Sequence, residues 1–73
     1  MSKNDFATAI LEAEVVVNHI DDGHVYHFPI LSNGTVNLEG SRIEANPKAK
    51  CEASRYLSDA LDAAQVALSR PHA

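Results

Sequence analysis

The stretch from Asn46-Pro47 to Arg70-Pro71 constrains the fold of this chain more than any other segment. Asn46 can cap a helix with its side-chain oxygen, and Pro47 suits the first helical position because a missing N–H costs nothing there. Apolar residues then recur on one stripe of a 3.6-residue period, namely Ala53, Leu57, Ala60, Leu61, Ala64 and Leu68. The pattern predicts one long amphipathic helix between the two prolines, with an Ala-rich face that another element must cover.

The first twenty residues fit both a helix and a strand. A capping pattern ahead of apolar residues with helical spacing predicts a helix over about residues 4–19. The run Val15-Val16-Val17 opposes it, because β-branched residues prefer strands. In the alternative, the helix ends near Ala13, and residues 14–20 form a strand that ends in a hairpin turn at Asp21-Asp22-Gly23. We favour the helix.

The middle of the chain is predicted to be β. In residues 24–31 the side chains alternate, with Tyr26, Phe28 and Ile30 on one face and Val25 and His27 on the other, which is typical of a strand. Asn33-Gly34 is a strong hairpin signal, and residues 35–39 follow as a second strand. Pro29 cannot donate a ladder hydrogen bond, so its strand should be an edge or carry a bulge there. Residues 42–45 add a short extended piece.

Together these elements predict a single α+β domain over residues 1–73, with two helices packed on a small antiparallel sheet of two or three strands (α-β-β-(β)-α). A chain of 73 residues buries only about 60% of its unfolded surface, so we expect a homodimer or a subunit of a larger complex. The single cysteine, Cys51, excludes an intramolecular disulfide and indicates a reducing compartment. No signal peptide or membrane span is evident in the sequence, and we expect a cytoplasmic location.

The charge of the chain, −4 in total, is concentrated in its first half. Residues 1–39 contain one basic residue against six acidic ones, whereas residues 40–73 contain five basic against four acidic. An acidic surface favours basic partners, or can imitate a phosphate backbone. The acidic candidates for contact with a protein partner are Glu12, Asp21, Asp22 and Glu39.

Two further surfaces follow from the predicted helices. Leu11, Val15 and Val66 lie off the apolar stripes, and would mark a protein interface if they were contiguous. Four basic residues surround the start of the C-terminal helix, where free N–H groups favour an anion: Arg42, Lys48, Lys50 and Arg55. They define the alternative function, a small dimeric regulator that binds nucleic acid.

Catalytic and metal chemistry find little support in the sequence. His19, His24 and His27 are residue types that bind zinc or nickel, but two of them would project to opposite faces of one strand. Cys51 would lie in the first turns of the C-terminal helix, with nothing to hold a base against it. We therefore predict no catalytic residue, no metal and no cofactor, and expect a protein that is not an enzyme.

In its length, acidic first half, compact α-ββ-α pattern and lack of catalytic residues, the chain resembles the small inhibitors that phages encode against host defence, the anti-CRISPR proteins among them. The resemblance is one of general character, and it assigns a role to no individual residue. It implies a non-catalytic protein that blocks a larger complex by binding to it.

Overall fold

The computed structural model describes residues 5–69 as four strands followed by one helix. The elements are β1 (Phe6–Ile10), β2 (Glu14–His19), β3 (Val25–Pro29), β4 (Arg42–Glu44), a 3₁₀ turn (Ala53–Tyr56) and α1 (Leu57–Ser69). Each strand pairs antiparallel with the next, so the sheet order is β1-β2-β3-β4. The α+β class is confirmed. The described residues form four strands and one helix, where two helices and two or three strands were predicted.

The predicted N-terminal helix is wrong in both its long form and the form that ends near Ala13, because Phe6–Ile10 is strand β1. The strand that the alternative places at residues 14–20 is confirmed by β2. Val15, Val17 and His19 are buried, whereas the residues between them are not. Burial with a period of two is the pattern of a strand that covers a core with one face only. The β-branched valines fit the pleated surface of the sheet, and this preference prevails over the helical spacing of the apolar residues.

The C-terminal helix begins at Leu57 rather than at Pro47, so that Asn46 caps no helix. Asn46 instead binds the β2–β3 turn. Its backbone N–H donates to Nδ1 of His24 at 3.0 Å, and its side-chain amide donates to the carbonyl oxygen of Asp22 at 2.7 Å. These long-range hydrogen bonds hold the segment before α1 against the sheet. The predicted end of the helix at Arg70-Pro71 lies outside the described residues.

The core lies between α1 and one face of the sheet. Its buried apolar side chains are Val15, Val17, Tyr26, Phe28, Val36, Ala53, Ala60 and Ala64. Ala60 and Ala64 are fully buried one helical turn apart, and their small side chains allow α1 to lie close to the strands. The buried hydroxyl of Tyr26 donates to the carbonyl oxygen of Ala53 at 2.7 Å. Burial, followed by the nearby charge of Asp22, raises the pKa of Tyr26 above its ordinary value.

The predicted strand over residues 35–39 is wrong, because β4 is the strand that pairs with β3, and residues 30–41 form a loop before it. Val36 of this loop is buried, and Gln65 of α1 donates its side-chain amide to the Val36 carbonyl at 3.4 Å. Pro29 ends an internal strand, contrary to the prediction of an edge. Its nitrogen faces the side of β4, but β4 pairs only with Val25–His27, so the missing N–H leaves no ladder bond unmade.

A glycine pair tests the contact between the β2–β3 turn and Asn46. Gly23 and Gly34 both have positive φ, +78° and +83°. A methyl group added at Gly23 would lie 2.9 Å from the Asn46 side-chain nitrogen, whereas nothing lies within 4 Å at Gly34. We expect Gly34→Ala to lower the free energy of unfolding by about 1 kcal/mol, the cost of the strained backbone. Gly23→Ala should lower it by about 2–3 kcal/mol, because Asn46 must also move.

Urea denaturation of both variants measures this difference. Equal losses for the two substitutions would show that the contact of Gly23 with Asn46 contributes nothing to stability.

Candidate protein-binding surface

The four acidic candidates lie at opposite ends of the sheet. Glu12 is in the β1–β2 turn and Glu39 in the β3–β4 loop, both at the end where β1 finishes. Asp21 and Asp22 are in the β2–β3 turn, at the other end. These four carboxylates therefore do not form one acidic patch.

The three apolar candidates are not brought together either. Leu11 is 49% exposed in the β1–β2 turn, and Val66 is 50% exposed on α1. Val15 is fully buried, so its expected position on an exposed surface is wrong. The error follows from the helix prediction, because the period of β2 directs Val15 into the core. Among these three residues only Leu11 and Val66 can contact a partner.

The basic candidates are dispersed because α1 begins later than predicted. Arg42 lies on β4, where it is paired with His27. Lys48 and Lys50 line a shallow hollow that they share with Asp21 and Asp22 of the β2–β3 turn. Arg55 is exposed in the 3₁₀ turn. Since acidic side chains stand beside two of the four cations, these residues do not present a continuous basic surface at the start of α1.

His24 has a structural position that the sequence did not reveal. It is 1% exposed, and its two ring nitrogens bind two backbone groups. Nδ1 accepts from the N–H of Asn46 at 3.0 Å, which leaves the proton on Nε2, and Nε2 donates to the carbonyl oxygen of Cys51 at 2.7 Å. The neutral ring thus joins the sheet to the segment that leads to α1.

His19 is equally buried but has no such partners. It is 1% exposed, and neither ring nitrogen has a hydrogen-bond partner among the described residues. Its ring lies between those of Phe6 and Tyr56, with centroid distances of 5.0 Å and 4.2 Å. The ring therefore packs as an aromatic core residue, and its buried nitrogens are energetically unfavourable.

Cys51 is half-buried just before the 3₁₀ turn, and not in the first turns of a helix as predicted. The hydrogen bond between the Cys51 side chain and the Tyr56 hydroxyl, followed by burial, raises the pKa of Tyr56 to about 12. Both nitrogens of His24 bind backbone groups, so this ring cannot act as a base toward the Cys51 thiol. Cys51 therefore lacks the partner that a catalytic thiol needs from His24.

The face of the sheet that points away from α1 is the most extensive feature that the sequence did not predict. Strand pairing places the following residues on this surface, called here the open face: Ala7, Ala9, Leu11, Glu14, Val16, Asn18, Ile20, Val25, His27, Arg42 and Glu44. Pro29 also lies on this face, and the β3–β4 loop approaches it there at Gly40. No helix or strand among residues 5–69 covers the open face. Leu11 is 49% and Ile20 58% exposed at its two ends, and Val16 and Val25 lie near its centre.

A charged group crosses the open face around His27. Its Nε2 lies 2.6 Å from a carboxylate oxygen of Glu44, and its Nδ1 lies 3.5 Å from one of Glu14. The first distance is that of a hydrogen bond, and the second is that of a looser ion pair when the ring is protonated. The two carboxylates and Arg42 give the open face a polar border around its valines and alanines.

No protein-family model, curated protein or solved structure matches this chain at a significant level. The functional surface is therefore inferred from the structure itself. Within residues 5–69, no three His, Cys, Asp or Glu side chains are grouped so that they could hold a metal ion. The helical part of the same residues contains no segment long and apolar enough to cross a membrane. The open face is therefore the strongest candidate for a functional surface in the described structure.

Proposed function

We propose that this protein is a non-catalytic protein-binding module, and that it binds its partner through the open face. The observation that carries the proposal is a four-stranded sheet with a helix on one side and, within residues 5–69, no helix or strand on the other. An antiparallel sheet whose second face meets water usually carries polar side chains there. Here Val16 and Val25 alternate with Asn18 and His27 on the two central strands, and β1 adds two alanines.

The arrangement of side chains on the open face fits a binding surface. Val16, Val25 and the two alanines of β1 supply apolar area beside Asn18 and His27, and Leu11 and Ile20 extend this area at both ends. Protein interfaces commonly combine an apolar centre with a polar border, and contiguous apolar patches on small proteins often mark them. Glu14, Glu44 and Arg42 supply such a border.

The charge of the protein indicates the chemistry of the partner. Two carboxylates lie on the open face beside His27, against the single cation of Arg42, and the whole chain has a net charge of −4. Long-range attraction then favours a partner surface that is apolar at its centre and basic at its border. By covering such a surface on a larger complex, the protein would block that complex. This is the inhibitor function that the resemblance to phage-encoded inhibitors implies.

The positions of the aromatic rings weigh against the nucleic-acid alternative. Proteins that bind single strands on a sheet stack the bases on exposed aromatic side chains. All four aromatic residues of this chain, Phe6, Tyr26, Phe28 and Tyr56, lie on the side of the sheet that carries α1. The open face has no Phe or Tyr, and its imidazole, that of His27, lies between two carboxylates, which repel a phosphate backbone. Protein binding is the function that its chemistry supports better.

An affinity pull-down from bacterial lysate, with and without nuclease, tests the proposal. We expect a protein partner that survives nuclease treatment and binds the double variant Leu11→Lys/Ile20→Lys at least about tenfold more weakly, a loss of about 1.4 kcal/mol. Both residues are exposed, so the variant should fold normally.

The matched control is Ser58→Lys/Ser69→Lys, which adds the same charge on exposed positions of α1. It should retain the partner. Equal retention by the two double variants would place the binding site elsewhere. Capture of nucleic acid alone, lost on nuclease treatment, would contradict the protein-binding function itself.

A further inference from the structure

The outer edge of β1 is unpaired within residues 5–69, since β1 is the first strand of the sheet. Its five residues, Phe6–Ile10, include no charge and no proline. Natural proteins usually protect an exposed edge with charged residues, proline or a bulge, because an unprotected edge pairs with another strand. The edge of β1 has none of these protections.

The hydrogen bonds of β1 show which backbone groups are available for pairing. The N–H of Ile20 donates to the carbonyl oxygen of Asp5 at 2.9 Å, and the N–H of Leu11 donates to that of Glu14 at 2.8 Å. Hydrogen-bonded pairs alternate along an antiparallel ladder, so the odd-numbered residues of β1 bond to β2. The N–H and C=O groups of Phe6, Thr8 and Ile10 therefore point outward from the edge.

The apolar layer between the sheet and α1 is also open at this edge. The side chains of Phe6, Thr8 and Ile10 lie on the helix side, and Ile10 is 39% exposed. A groove of about 280 Å³ separates β1 from α1, lined by Phe6, Thr8, Asp62, Ala63, Val66 and Ala67. Val66, half exposed on this side of α1, is the off-stripe residue that the sequence singled out.

We propose that the protein forms a homodimer in which β1 pairs antiparallel with β1 of a second copy, with Thr8 opposite Thr8 and Phe6 opposite Ile10. In this register the outward backbone N–H and C=O groups of Phe6, Thr8 and Ile10 all form hydrogen bonds with the second copy. This is possible because a two-fold axis at Thr8 places each N–H opposite a C=O. The two sheets join into one of eight strands, and Ala63 and Ala67 allow the two helices to approach. The open face remains accessible in both copies.

A second copy fits this edge better than a charged partner does. β1 has no charged residue, so its edge suits another uncharged strand. Within residues 5–69, Asp62 is the only charged residue that lines the groove, and its approach to its own counterpart near the axis would oppose the dimer. Added salt should therefore strengthen the dimer, whereas it would weaken binding of a basic partner. Five paired residues extend about 17 Å and α1 about 20 Å. Such an interface lies at the small end of stable ones, and we expect a dissociation constant in the micromolar range.

Sedimentation equilibrium over a range of protein concentrations tests the dimer. We expect the wild-type chain to pass from monomer to dimer, and Thr8→Lys to stay monomeric up to at least about tenfold higher concentration, because two lysines would face each other on the axis. Thr8 is exposed in the single chain, and circular dichroism should show an unchanged fold. Ser58→Lys, which adds the same charge on α1, should dimerise like the wild type.

A disulfide tests the register independently, in a Cys51→Ser background. Thr8→Cys should form an intermolecular disulfide in mild oxidant, because only a residue on the axis meets itself. Ala7→Cys, one position away and on the open face, should form it far more slowly. A wild-type chain that stays monomeric at all concentrations, a dimer unaffected by Thr8→Lys, or equal oxidation of the two cysteine variants would overturn the proposal.

Discussion

Replacing His24 by leucine is expected to lower the free energy of unfolding by about 3 kcal/mol. Leucine has nearly the volume of histidine but no ring nitrogens, so the N–H of Asn46 and the carbonyl oxygen of Cys51 would both lose their partner. Each unpaired buried backbone group costs about 1–3 kcal/mol. The total stability of a domain of 73 residues is only about 4–11 kcal/mol. The variant should therefore unfold at much lower urea concentration.

The same variant should also loosen the segment before α1 while the rest of the chain stays folded. Cys51 is half-buried in that segment and provides a probe. We expect the thiol of the His24→Leu variant to react faster with a thiol reagent in the absence of denaturant. Unchanged reactivity together with unchanged stability would show that the His24 ring does not join the two parts of the fold.

The same substitution at His19, His19→Leu, is expected to raise the free energy of unfolding rather than lower it. Both histidines are 1% exposed, but the ring nitrogens of His19 have no partner among the described residues. Leucine removes two buried polar atoms without leaving any other group unpaired, which should stabilise the protein by about 2 kcal/mol. Loss of the ring contacts with Phe6 and Tyr56 offsets this gain by about 0.5–1 kcal/mol. The net result is a gain of about 1 kcal/mol.

Urea denaturation of the two leucine variants side by side measures the difference, which should be about 4 kcal/mol. A loss of stability in His19→Leu as large as that in His24→Leu would mean that the nitrogens of His19 are paired in solution. The wild-type chain, measured in the same series, fixes the sign of each change.

The sequence predicts the central strand of this fold well because one signal dominates there. Tyr26 and Phe28 alternate with Val25 and His27, and no helical pattern competes. In the first twenty residues two patterns coincide, since the apolar residues from Phe6 to Ile20 fit a helical face as well as two strands. The valines of β2 decide between them only once β1 and β3 pair on either side, and pairing partners are not encoded in local spacing.

The start of α1 illustrates how tertiary contacts prevail over local signals. Asn46-Pro47 is a good helix start, but the groups that a helix would use are already bound. Asn46 binds His24 and Asp22, the Cys51 carbonyl accepts from His24, and the Ala53 carbonyl accepts from Tyr26. Helix propensity is a weak preference of a few tenths of a kcal/mol per residue, and these hydrogen bonds outweigh it.

The candidate surface was less predictable than the fold, because a face exists only when the register of all four strands is known. The sequence predicts Leu11 as an apolar residue outside the core stripe. Whether Leu11 lies on the same face as Val16 and Val25 depends on the register of the strand pairs. A shift of one residue in either pairing would have placed these valines in the core. Alternation along a strand separates the residues of its two faces. Only the pairing of β2 with its neighbours shows which residues of different strands share a face.

The order of the strands has a consequence for how the protein is made. Every strand pairs with its neighbour in the chain, so each strand can join the sheet soon after it leaves the ribosome. The first two hairpins close over short turns, and β4 joins after the longer loop of residues 30–41. Among the described residues, α1 is synthesised last. Until it emerges, the newly formed meander exposes its apolar side as well as its uncharged first edge. A nascent chain is therefore most prone to pair with another one translated from the same mRNA after β4 has been synthesised and before α1 has emerged from the ribosome.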